Sequence, residues 1–246
     1  MRKIDGIFFD LGDTLLDFGR VNLQDLFRRG SAQAYEYIRG LGKALPSSRK
    51  YRSRHMMAVR WHVVASMLTG REFNAKDVLG KLNRKLGISL SEEQLLEVCW
   101  QWYEPLHLHA QAEPGLVEML EKFRQQGLSL AVVSNTFIPG ESLDRHLAEE
   151  NLLDLLPVRV YSCEIGRRKP HRSVFETALR KTGIEPSQAV FVGDSPRADI
   201  VGAKRMGMTT VLKGSPGKKG LGKCQADYRI GSILELPDII ATCQSS

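Results

Sequence analysis

Five short apolar runs, most of them cut off by a polar turn and separated by stretches of helical period, constrain this chain more than any other feature. Ile4 to Phe9 stops at Asp10-Leu11-Gly12-Asp13-Thr14, and Leu128 to Val133 stops at Ser134-Asn135-Thr136. Val158 to Tyr161, Ala189 to Val192 (ended by Gly193-Asp194-Ser195) and Thr209 to Leu212 follow. Runs of this kind read as strands buried on both faces. Between them, Leu116, Met119, Leu120 and Phe123 recur at i, i+3, i+4 and i+7, and Val174, Phe175, Ala178 and Leu179 mark a second helical face. Strands alternating with helices pair in parallel, so the expected fold is a doubly wound α/β sheet.

Asp17 to Ala112 breaks the alternation. It shows helical periods only, as in Leu23, Leu26, Phe27, Ala34, Tyr37, Ile38 and Leu41. The expected organisation is a core built from residues 1–16 and 113–246, with residues 17–112 inserted as an all-helical cap. The insertion holds 15 basic and 9 acidic residues and so carries most of the formal net charge of +7. From Tyr37 to Arg71 there is no Asp or Glu, while Arg39, Lys43, Arg49, Lys50, Arg52, Arg54, Arg60 and Arg71 all occur. A solvated helical face explains this stretch most simply; capture of an anionic substrate is the sharper alternative, and nucleic acid is not the expected partner.

Cys99, Cys163, Cys224 and Cys243 lie too far apart for the paired spacing of a zinc site. The apolar start is interrupted at Asp10, so no secretory leader is read there, and no run reaches the ~18 apolar residues of a membrane span. A reduced cytoplasmic setting is expected, with no membrane partner. Cys99 beside Trp100 reads as helix core, His107 and His109 as hinge or surface residues, and Lys213 to Lys223 as a surface loop.

Ligands of open parallel sheets bind beyond the carboxyl ends of the strands, where this sequence places Asp10, Ser134 and Asp194. Asp13 and Asp199 follow closely. Up to four carboxylates in one cleft call for a cation, and an all-oxygen set suits Mg²⁺, which also takes a phosphate oxygen. Lys169, in Gly166-Arg167-Arg168-Lys169-Pro170, is the candidate point charge for that phosphate, with Arg167 and Arg168 as substitutes. Taken singly, Asp10, Ser134, Asp194 and Asp199 would each pass for a capping residue.

Taken together, Phe8-Phe9-Asp10-Leu11-Gly12-Asp13-Thr14-Leu15, Val132-Val133-Ser134-Asn135-Thr136, Lys169-Pro170 and Phe191-Val192-Gly193-Asp194-Ser195, followed by Asp199, Gly202, Ala203 and Gly207-Met208, resemble the haloacid dehalogenase superfamily of aspartate-nucleophile hydrolases. The likeness covers residues 1 to 16 and about 113 to 240. It implies a Rossmann-like core with a class 1 α-helical cap. It also implies that Asp10 attacks phosphorus, that Asp10, the Gly12 carbonyl, Asp194 and Asp199 hold Mg²⁺, that Ser134 and Asn135 bind the phosphoryl group, and that Lys169 neutralises charge. The implied activity is hydrolysis of a small phosphorylated metabolite.

One residue departs from that pattern. Phosphatases of the superfamily carry a second Asp two positions after the nucleophile, as general acid and base; here Gly12 stands there. Losing such help costs about 10²- to 10⁴-fold in rate. Three readings stay open: Asp13 replaces the acid, with Gly12 taking dihedrals other residues avoid; the leaving group needs no acid; or the chain binds phosphate esters, or another partner, with slow turnover. Dehalogenase or phosphonatase chemistry is a further alternative, the latter needing a cap lysine such as Lys43 or Lys50.

Overall fold

The computed structural model describes residues 3–214 and 225–245. Cys224 and most of the Lys213 to Lys223 loop lie outside the described residues. The chain enters on β1 (Gly6–Phe9), crosses β2 (Leu16–Asp17), and runs through four helices, α1 (Leu23–Gly40), α2 (Ser48–Thr69), α3 (Ala75–Lys85) and α4 (Glu92–His107). It returns on β3 (Gln111–Ala112) and continues through α5 (Leu116–Gln125), β4 (Ser129–Ser134), α6 (Gly140–Glu149), β5 (Val158–Tyr161), α7 (Ser162–Ile165) and α8 (Arg172–Thr182). The remainder is β6 (Ala189–Gly193), a π-helical turn at Pro196–Ile200, α9 (Val201–Met206), β7 (Thr209–Lys213), β8 (Tyr228–Ile230) and α10 (Leu236–Ser245).

Six strands form one sheet in the order β5-β4-β1-β6-β7-β8, with every pairing parallel. Alternate side chains go to opposite faces, as the strand period requires. Phe8, Ala131, Val133, Val160 and Phe191 pack with Val174, Phe175 and Ala178 of α8, whereas Ile7, Phe9, Leu130, Val132, Val190 and Val192 pack with Leu116, Leu120 and Leu147 of α5 and α6. Burial on both faces is why the strands lack polar alternation in the sequence.

The four helices start where the chain supplies caps. Asn22 accepts from the backbone N–H groups of Gln24 and Asp25, Asn74 from that of Lys76, and Ser91 forms a reciprocal box with Gln94. Their shared core contains Ile38, Tyr51, Val59, Leu79, Val98, Cys99 and Trp102. Cys99 is buried there as expected.

Two pieces of structure were not legible in the sequence. β8 is three residues long with an exposed centre, so it has no apolar run to betray it. The segment expected to be helical throughout carries a strand at either edge. β2 and β3 pair antiparallel, Leu16 with Ala112 and Asp17 with Gln111, so the chain leaves and re-enters through one narrow neck. No helix among the described residues is long and apolar enough to cross a membrane.

Candidate active site

Register delivers the reactive groups. Phe9 stands opposite Val132 on one side and Val192 on the other, so Asp10, Ser134 and Asp194 emerge within two residues of a common row at the carboxyl ends of β1, β4 and β6. Strand order reverses here, with successive strands stepping outward on either side of β1, and such a switch point leaves a crevice. Asp199 reaches the crevice by folding back from the turn after β6. Its Oδ2 accepts the Ser195 N–H at 2.9 Å, and a Cβ placed on Gly193 would lie 2.5 Å from the Asp199 carboxyl carbon. Only glycine leaves that room.

Oxygens of Asp10, Asp194 and Asp199 all lie within 4.8 Å of one another. Lys169 enters from the far side: its Nζ is 2.6 Å from Asp10 Oδ1, 2.7 Å from Asp199 Oδ1 and donates to the Val133 carbonyl at 2.6 Å. The Lys169 side chain is 1% exposed. Burial works against its charge, but the Asp10 and Asp199 carboxylates outweigh burial and hold its pKa above the ordinary lysine value. At Asp10 burial is again the largest influence and raises the pKa; Lys169 opposes it, the Asp199 and Asp194 charges add to it, and the carboxyl is raised to about 7. Within this crowd of three carboxylates, Asp10 and Asp199 share a single ammonium. An all-oxygen donor set in that condition fits a hard divalent cation, which would also hold Asp10 ionised.

Neighbouring residues divide into those that reach the crevice and those that hold others there. Ser134 is buried at the end of β4 and lines the cavity. Asn135 does more than the sequence indicated. Its Oδ1 accepts the Lys169 N–H at 2.7 Å and its Nδ2 donates to the Lys169 carbonyl at 3.1 Å, clamping the lysine's backbone and leaving one N–H for a ligand. Of the three basic neighbours, Lys169 is the one whose cation meets the carboxylates; Arg167 instead bridges to Arg71 through the backbone.

Gly12 and Asp13 depart from expectation. The left-handed backbone falls on Asp13, at φ 56°, rather than on Gly12, so the proposed role of unusual glycine dihedrals is corrected. Aspartate tolerates that region better than most residues. Asp13 is exposed, lines the cavity, and its Oδ1 accepts the Phe18 N–H at 3.4 Å. A Cβ on Gly12 would stand 3.4 Å from the Phe18 ring, so an aromatic edge backs the place where the second aspartate of the family pattern would project.

Arg168 and Glu72 form a site that the sequence did not announce. The Glu72 side chain is fully buried; it accepts from Arg168 Nη1 at 2.6 Å, Ser66 Oγ at 2.8 Å and Ser162 Oγ at 3.1 Å. Together with backbone bonds from Arg168 to Gly70 and from Glu72 to Gly166, it ties the helical insertion to the sheet beside Lys169. The one available signal was position: Glu72 is the first acid after the acid-free stretch.

His107, expected at a hinge or surface, instead joins a buried contact between the two parts. Its Nε2 lies 2.9 Å from Glu149, its ring sits 4.3 Å from that of His146, and the Tyr103 hydroxyl is 2.7 Å from His146 Nδ1. His109 is exposed just before β3. Burial lowers the pKa of His146 to about 4, helped by His107, and burial lowers that of His55, stacked on Tyr51 in the cap core, to about 4 as well. An unfolded chain would protonate both near pH ~6.5. Their contribution to stability is therefore full above that pH and lost as pH falls toward 4, at about 3 kcal/mol each. Asp10 titrates in the opposite sense, so thermal melts of Asp10→Asn across this window isolate the effect. The melting temperature is expected to fall steeply with acid, and a flat profile would contradict it.

Arg49, Lys50, Arg54 and Arg60 are exposed as a solvated face requires, yet that face of α2 also exposes Met57, Trp61, Val64 and Leu68. None of the eight basic residues of the 37–71 stretch lines the cavity, which does not support their reading as anion-capturing groups.

Known proteins resemble this chain in sequence and in fold. The chain is 31% identical over 138 residues to the ribulose-1,5-bisphosphate 5-phosphatase of Halopiger xanaduensis, a match spanning 52% of this chain and 56% of that protein. It thus spans little more than half the length of that curated relative. It is 24% identical over 251 residues to the glyceraldehyde 3-phosphate phosphatase of Pyrococcus furiosus, covering 98% and 93% of the two chains. A crystal structure of a HAD phosphatase from Thermococcus onnurineus superposes with a TM-score of 0.60 at 28% identity, over 96% of this chain and 98% of that one. The model of the haloacid dehalogenase-like hydrolases matches residues 73–213, more than half the sequence, and takes in Ser134, Lys169, Asp194 and Asp199; this chain belongs to that family.

Proposed function

We propose that the chain is a Mg²⁺-dependent phosphatase that hydrolyses a small phosphate monoester through an aspartyl-phosphate on Asp10. The observation that carries this reading is the trio Asp10, Asp194 and Asp199, with oxygens within 4.8 Å of one another around a single buried lysine. The relatives' names support small phosphate monoesters as the substrate class, since those proteins are named as phosphatases.

The residues that would hold Mg²⁺ are Asp10, Asp194 and the Gly12 carbonyl, with Asp199 joining directly or through water. Once bound, the ion supplies positive charge for the phosphoryl oxygens and keeps Asp10 anionic. Asp10 is the nucleophile: its free carboxylate oxygen attacks phosphorus while Lys169, held at 2.6 Å from Oδ1, orients it and neutralises developing charge. Ser134 offers a hydroxyl to the phosphoryl group from the strand end, and Asn135 keeps Lys169 in place. Water then releases phosphate from Asp10.

The reading is tested by phosphate release from a panel of phosphorylated metabolites. Release is expected with Mg²⁺, to vanish in excess EDTA and to return on adding Mg²⁺. A panel without turnover but with measurable binding would favour the second reading, a phosphometabolite-binding protein, for which Gly12 in place of the usual acid is the specific support. Phosphonatase chemistry has less behind it, because neither Lys43 nor Lys50 lines the cavity.

A further inference from the structure

The cavity that opens from Asp10 is about 560 Å³, room for far more than a phosphoryl group. Its two ends differ in chemistry. The strand-end floor is polar. The wall contributed by the helical insertion includes Phe18, Val21, Leu26, Phe27, Val63 and Trp102, and no charged side chain of the insertion lines it, although the insertion holds 15 Arg and Lys. The hydroxyls of a sugar- or glycerol-like ester would lose more water there than the unpartnered Trp102 indole N–H could replace, whereas a flat apolar group would be desolvated at no such cost.

A second observation concerns the leaving oxygen. The side chain that would protonate it is missing at Gly12, and the Phe18 ring stands 3.4 Å from where a Cβ would begin. Among other groups lining the cavity, Lys169 is engaged by Asp10 and Asp199, Arg168 by Glu72 and the Tyr103 hydroxyl by His146, while Asp13, the one carboxyl left at the leaving-group side, turns its Oδ1 toward the Phe18 N–H at 3.4 Å. A leaving group beside this wall departs unaided only if it is stable as an anion.

Resting on the phosphatase reading above, we infer that the substrates are phosphate monoesters of an apolar aromatic hydroxyl. The Asp10 carboxylate forms a new O–P bond as the aryl O–P bond breaks, and the phenolate leaves with the electron pair and takes a proton from solvent. Water then attacks phosphorus, the Asp10–phosphorus bond breaks, the water proton passes to solvent, and inorganic phosphate departs.

Three substrates separate the two requirements in the full chain with Mg²⁺. Phenyl phosphate has the apolar ring and a stable leaving anion, benzyl phosphate has the ring but leaves as an alkoxide, and glycerol 3-phosphate has neither. The expected kcat/KM for phenyl phosphate exceeds that for benzyl phosphate by about 100-fold, within the span that general acid help normally covers. Benzyl phosphate in turn exceeds glycerol 3-phosphate by about tenfold. Calorimetry with non-hydrolysable phenylphosphonate gives a readout free of turnover, and binding at least tenfold tighter than that of 2-hydroxyethylphosphonate is expected. The inference is overturned if phenyl phosphate leads benzyl phosphate by less than tenfold, which would place an acid such as Asp13 at the leaving oxygen. It is equally overturned if glycerol 3-phosphate matches the aryl ester or the two phosphonates bind alike. No Asp10-dependent release from any of these esters or from the acyl phosphate acetyl phosphate would instead overturn the phosphatase reading itself.

Discussion

Asp10→Asn is expected to lower steady-state phosphate release by at least about 10⁴-fold, the scale on which removal of a covalent nucleophile is felt. An amide cannot form the phosphorylated intermediate, yet its carbonyl can still accept from Lys169 at the 2.6 Å position now held by Oδ1. Substrate binding is therefore expected to survive, which separates loss of chemistry from loss of the site. Nor should the substitution unfold the chain. Asp10 is a buried carboxyl raised to about 7, so replacing it removes a charge that the metal-free protein holds at a cost. Rapid-quench detection of a phosphorylated protein in the wild type, and its absence in the variant, makes the measurement direct. Residual turnover above about 1% of wild type would take the nucleophile's role away from Asp10.

Lys169→Met should have the largest effect on stability as well as on rate. Methionine is unbranched and one heavy atom shorter, so it fills most of the space and what chiefly disappears is the charge. Asp10 and Asp199, the latter 1% exposed, then face each other without a counter-ion. Removing one partner from a buried ion pair costs about 3–5 kcal/mol, and a melt in EDTA should show it. Saturating Mg²⁺ should raise the melting temperature of the variant more than that of the wild type, because the folded variant has the greater deficit of positive charge. kcat should fall about 10²- to 10³-fold, as when a preorganised electrostatic contact to the transition state is lost. An unchanged melting temperature in EDTA would mean that the lysine is not the counter-charge its distances describe.

The strands, and the residues that end them, were legible because both signals are local. Val158 to Tyr161 matches β5 residue for residue, and β4 begins one residue later than the apolar run and ends on Ser134. Failure came where an element was too short to carry a period. β2 and β3 have two residues each and are held by pairing with one another, and β8 extends a sheet already formed. His107 was misjudged for a related reason, because its position in sequence near Pro105 says nothing about the His146 ring packed against it.

Asp10, Ser134 and Asp194 could be named from the chain alone, since a residue at or one step beyond the end of a buried parallel strand has a single place to go, the open end of the sheet, whereas Lys169 and Asp199, eight and six residues past their strands, were assigned through the motif resemblance. The character of the cavity was another matter. That Phe18 backs Gly12, that Asn135 spends its amide on the backbone of Lys169, that Glu72 and Arg168 tie the helical insertion down, and that fifteen basic side chains of the insertion all stay off the cavity wall depend on which way each helix is turned once its neighbours are packed. Periodicity reports that a helix has an apolar face. Tertiary packing alone decides what that face meets, because burial energy is non-directional and is satisfied by a hydrophobic core and by a ligand cavity alike.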